Sequence, residues 1–89
     1  MIIRRLTPKD MALMRETGRA RELCDIMIDL DTDGEGVLID MAAWGDTPAK
    51  AMHQLHTTRA RVQRRQDILS GRLFRTASTD EGILIWRTA

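Results

Sequence analysis

Asp29-Leu30-Asp31-Thr32-Asp33-Gly34, followed by Asp40, places carboxylates at positions 1, 3, 5 and 12 of a twelve-residue window, with glycine at position 6. That is the donor spacing of a calcium loop, in which hard oxygen ligands gather round the ion and the glycine permits a sharp turn. Two positions depart from it. Position 8, usually a branched apolar residue that pairs with a neighbouring loop, is Gly36, and position 12 is Asp40, whose arm is shorter than that of glutamate. With no second loop to pair with, the stretch reads first as a solvated acidic turn and second as a single calcium loop held by Asp29, Asp31, Asp33 and Asp40.

Other reactive residue types are sparse. His53 and His56 lie three apart, as neighbours on a helix, but no carboxylate or cysteine accompanies them at ligand spacing. They read as surface histidines, and no metal is expected. Cys24, between Leu23 and Ile26, reads as a small buried apolar residue. There is no nucleophile-base pair, glycine-rich phosphate loop or nucleotide fingerprint, so a protein without cofactor or enzymatic activity is expected.

Positive charge forms the clearest pattern. Residues 1 to 45 hold six basic and nine acidic side chains, whereas residues 46 to 89 hold eight and four. The second half is where a polyanion would bind. There Lys50, His53, Gln54, Thr57, Arg61, Arg64 and Arg65 fall within about 120° of one another on a helical wheel. Glutamine can reach an adenine edge, arginine a guanine edge, and the others phosphates. Arg72 and Arg75 extend the basic set beyond the helix. Phe74, Trp44 and Trp86 are the only aromatic residues, too few for a base-stacking platform.

The elements that would position these residues are legible from caps and periodicity. At 89 residues the chain makes one domain with one modest core. Ile2 and Ile3 could form a short strand or packing arm. Thr7, Pro8 and Asp10 give a helix start, and the spacing of Met11, Met14, Ala20, Leu23, Cys24 and Met27 predicts a helix over 8–28, with Gly18 as a bend or break. A short strand over 36–39 follows the acidic turn. Asp40 then caps a very short helix, which Gly45 ends by a positive-φ conformation. Thr47 and Pro48 open a longer helix with Ala51, Met52, Leu55, Val62 and Leu69 on one side. It is expected to run to about Ser70, or to split between 60 and 66. Leu73 to Ala77 and Ile83 to Thr88 read as two strands of a hairpin around Ser78–Gly82. The fold class expected is α+β, three helices plus a C-terminal β-hairpin.

The run Met41-Ala42-Ala43-Trp44-Gly45-Asp46-Thr47-Pro48-Ala49-Lys50-Ala51-Met52-His53-Gln54-Leu55 resembles a helix-turn-helix, with small residues and glycine where two helices meet steeply. Long helix, short strand, helix, turn, helix and hairpin is also the order of a winged helix-turn-helix domain, and the resemblance covers roughly residues 8 to 88. It implies a helix-turn-helix core over 40–58 and a wing over 72–88. The implied function is binding of double-stranded DNA by the helix from 48 onward, as a regulator or accessory factor of a bacterium or mobile element. Asp46 departs from the apolar residue usual at that turn position, and Asp80 and Glu81 make the wing tip acidic where a basic one is usual. A protein-interaction module or inhibitor on the same scaffold is the alternative. The opening MIIRRLTPKD lacks the apolar run of a secretory peptide, and one cysteine cannot form an internal disulfide, so a reducing cytoplasm and no membrane are expected. Ile2, Ile3, Trp86 and the first helix offer apolar surface to a homodimer or, equally, to the monomer core.

Overall fold

Thr7 starts the first helix by a reciprocal cap. Its hydroxyl accepts from the Asp10 amide (3.1 Å), and its own amide donates to the Asp10 carboxylate (3.2 Å). In the computed structural model, which describes residues 1–89, this helix, α1, covers only Pro8–Met14. The second, α2, covers Gly18–Asp29. The helix expected over 8–28 is thus two, divided at the bend or break expected at Gly18. Thr17 is extended (φ −135°, ψ 156°) and Gly18 has φ +56°, a pair of conformations that no continuous α-helix contains. The break lets α1 fold against α2 and turns Glu16 inward.

Beyond α2, a short acidic loop leads to strand β1, Gly36–Ile39, at the expected position. Asp40 then caps a single 3-10 turn, Met41–Ala43, by accepting from the Ala42 amide at 3.1 Å. Gly45 follows without a positive φ. Its necessity is steric instead: a Cβ there would lie 2.6 Å from the Ala51 amide nitrogen, so only glycine lets the turn approach the next helix. That helix, α3, covers Pro48–Arg65, with the Thr47 hydroxyl accepting from the Lys50 amide at 3.2 Å.

Helix α3 stops short of Ser70 because Gln66 is extended (φ −113°, ψ 106°), and a 3-10 turn, Asp67–Leu69, completes the segment. The reason lies in the core: Gln66 is buried, and its amide donates to the Ala12 carbonyl (3.2 Å) and the Glu16 carboxylate (2.6 Å). Strands β2, Phe74–Thr79, and β3, Gly82–Arg87, form the expected hairpin. The Thr79 hydroxyl ties its turn by accepting from the amides of Glu81 and Gly82.

The three strands form one antiparallel sheet in the order β1-β3-β2, with Leu38 opposite Leu84 and Ala77 opposite Leu84 on the other side. Alternation sends Ile83 and Ile85 inward. There they join Leu23, Cys24 and Met27 of α2 and Ala51, Leu55 and Val62 of α3 in one buried cluster. No helix is long and apolar enough to cross a membrane.

Candidate nucleic-acid interface

The buried stripe of α3 fixes what its other side can offer. Ala51, Leu55, Thr58 and Val62 face the core. At 100° per residue, Lys50, His53, Gln54, Thr57, Arg61 and Arg64 must then point outward, and each is exposed. Helix α3 contains no aspartate or glutamate, so nothing within it neutralises this face. Lys50 has a neighbour in Asp46 at 3.4 Å, but both side chains are more than two-thirds exposed and the pair is weak. Arg61 and Arg64 form no ion pair.

Three further basic residues have other surroundings. The Arg65 guanidinium is bound to Glu16, whose side chain is 1% exposed, and so links the end of α3 to the junction of α1 and α2. Arg72 donates to the carbonyls of Met27 (3.3 Å) and Ile28 (2.9 Å), closing the C-terminal turn of α2. Arg75 is exposed on β2, across from Trp86 and on the sheet face turned away from the helices. Lys50, His53, Gln54, Thr57, Arg61 and Arg64 therefore share one helix face, while Arg65, Arg72 and Arg75 do not add free charge to it.

His56 lies at the flank of α3, with Nε2 3.2 Å from the Thr76 hydroxyl of β2 and Nδ1 3.5 Å from Arg59. Burial, then the charges of Arg59 and His53, push its pKa below the ordinary histidine value. The imidazole is accordingly neutral at pH 7 and serves to hold the hairpin to α3.

One cation joins the face from outside it. Arg19, at the start of α2, lies over the Trp44 ring (5.1 Å to the centroid) and donates to the Ala43 carbonyl at 3.1 Å. It borders an open cleft with Trp44, Lys50, His53 and Gln54. The sequence holds no local signal for this neighbour, since its position depends on how α2 folds back after the break at 15–17. On the other side of Arg19, a second cleft between the Met41–Ala43 turn and the hairpin tip is lined by Asp40, Asp46, Asp80 and Glu81. One end of α3 is thus bordered by acid, and its C-terminal half by arginine.

The loop that resembled a calcium site uses its carboxylates otherwise. Asp29 and Asp25 hold the Lys9 ammonium at 2.8 and 3.0 Å. Asp31 accepts from the Thr32 amide and Asp33 from the Glu35 amide, while Asp40 caps its 3-10 turn. No three carboxylate, histidine or cysteine side chains converge as ligands. Cys24 is fully buried, and desolvation first, with Glu16 and Asp25 adding, pushes its thiol up to about 11. It stays protonated at neutral pH.

No protein-family model matches this chain, and no curated protein or solved structure matches it either.

Proposed function

We propose that this chain is a small, non-enzymatic DNA-binding protein of winged helix-turn-helix type that reads duplex DNA with α3. The observation that carries the proposal is the outward face of α3, where Lys50, Gln54, Arg61 and Arg64 are exposed together on a helix with no acidic residue. Such a face offers amide and guanidinium donors to base edges and positive charge to phosphates. The element order and the sheet order β1-β3-β2 support the same reading, because β1 joins the hairpin as the small strand of a winged domain would. A single 3-10 turn stands where that family has the first helix of its motif. Gly45 nonetheless brings this turn into close contact with α3. The acidic cleft near the hairpin tip repels phosphate, so the duplex is expected along Gln54 to Arg64, with Arg19 at the margin.

The same acidic cleft favours a second reading, a module that docks on a basic protein surface. Arg61→Ala combined with Arg64→Ala separates the two. Both residues are exposed, so the fold should survive. Loss of duplex affinity with an unchanged circular dichroism spectrum supports DNA binding, whereas unchanged affinity supports the protein partner.

A further inference from the structure

Residues 1–6 lie outside every helix and strand and form no backbone hydrogen bond. Met1, Ile2 and Ile3 are exposed at 120%, 72% and 96%, an apolar tip with nothing against it. Arg4 and Arg5 follow directly. Strand β1 is an edge strand: β3 takes one of its sides and no element takes the other. Every second amide and carbonyl of β1 therefore points to solvent, and Leu38 is 47% exposed. Beside that edge, an open cleft between α2 and β1 has Ile26 and Val37 among its apolar residues, with Asp25, Asp29 and Glu35 around them. Lys9 is the one ammonium on Asp25 and Asp29, and Asp31, Asp33 and Glu35 in the adjoining loop have no cationic partner, so the rim carries excess negative charge.

We propose that a second copy of this chain lays its N-terminal arm along the free edge of β1 as an added strand, and that the exchange is reciprocal. One of the adjacent Ile2 and Ile3 faces the apolar part of the cleft and the other the outer sheet face, and Arg4 and Arg5 match the acidic rim. Alternate side chains of the added strand extend the row formed by Leu38, Leu84 and Ala77 on the outer sheet face, which no helix covers. Direct pairing of β1 with the β1 of another copy is the competing way to close this edge. An antiparallel register centred on Val37 and Leu38 would set Glu35 opposite Asp40, and like charges in that position destabilise the pair. In the chain itself Met1, Ile2 and Ile3 are exposed and unpaired with β1, and the arm of a partner copy is the occupant that supplies both the charge and the apolar tip.

Sedimentation velocity on the full chain at about 100 µM, two orders above a micromolar dissociation constant, tests this without any DNA, so its outcome is separate from that of the DNA reading. The expected species has twice the 10.2 kDa chain mass. Arg4→Glu with Arg5→Glu should give a monomer, as should Asp31→Arg with Glu35→Arg; all four residues are exposed, so the fold should be retained. Mixing these two monomers should restore a dimer, since each arm then meets an oppositely charged cleft. A wild-type chain that is monomeric, a dimer that survives both reversals, or a mixture that stays monomeric would overturn the proposal. So would a monomer whose arm amides are protected from exchange, because the arm then occupies its own edge.

Discussion

Replacing Arg65 by methionine should damage the fold more than removing the acidic partner does. The two members of this ion pair are unequally placed: the Glu16 side chain is 1% exposed and that of Arg65 is 47% exposed. In Glu16→Gln, the arginine that loses its partner can turn to water, and the new amide can still accept from Gln66, so the cost should be about 1–2 kcal/mol. In Arg65→Met, a carboxylate is left in the core with only the Gln66 amide for company. Breaking a buried pair from that side costs about 3–5 kcal/mol, a large part of the total stability of so small a domain. At roughly 4–8 °C per kcal/mol, the melting point should fall by at least about 12 °C for Arg65→Met. Urea unfolding at constant slope measures both variants. A Glu16→Gln deficit equal to or larger than that of Arg65→Met would refute the reasoning.

Gly45→Ala should cost about 2 kcal/mol or more in the same urea assay, because the added carbon must push the Ala51 backbone, which cannot move without disturbing the start of α3. His56 has a lowered folded pKa, so the unfolded chain takes up its proton first; stability should be flat above the ordinary histidine value of 6.5 and fall as pH drops below it, and His56→Gln should flatten that decline. The Cys24 thiol, pushed up to about 11 and fully buried, should react with a thiol reagent at pH 8 only at the rate of unfolding, and a fast stoichiometric reaction in the native protein would contradict its placement.

Local chemistry was legible where it is self-contained. Thr7, Asp40 and Thr47 act as the caps their types and neighbours suggest, strand 36–39 falls where expected, and the hairpin forms around a Thr79-to-Gly82 turn. What depends on partners distant in the chain was legible only as an alternative. The helix over 8–28 divides at the bend or break read at Gly18, beside which Glu16 is taken up by Arg65 and Gln66, about fifty residues later, and α3 ends at the 60–66 split, where Gln66 turns into the same cluster. A glycine after a short helix predicts a positive-φ cap, whereas Gly45 instead admits the close approach of Ala51. The calcium-like spacing rests on a loop whose carboxylates have nearer donors in Lys9 and in the loop's own amides. On α3 the helical wheel placed seven polar residues on one face, and six of them, all but Arg65, stand exposed without an internal partner. It could not show that Arg65 and Arg72 have internal partners, nor that Arg19 arrives from α2.

The salt dependence of duplex binding tests the central proposal most directly. Four cations border the face, namely Arg19, Lys50, Arg61 and Arg64. If each meets a phosphate, the logarithm of the binding constant should fall with the logarithm of salt at a slope of about −3.6, roughly a hundredfold loss between 50 and 200 mM. Removing Arg61 and Arg64 together should bring that slope to about −1.8. No binding of mixed-sequence duplex at about 50 mM salt, where even non-specific phosphate contacts hold, would contradict the proposal.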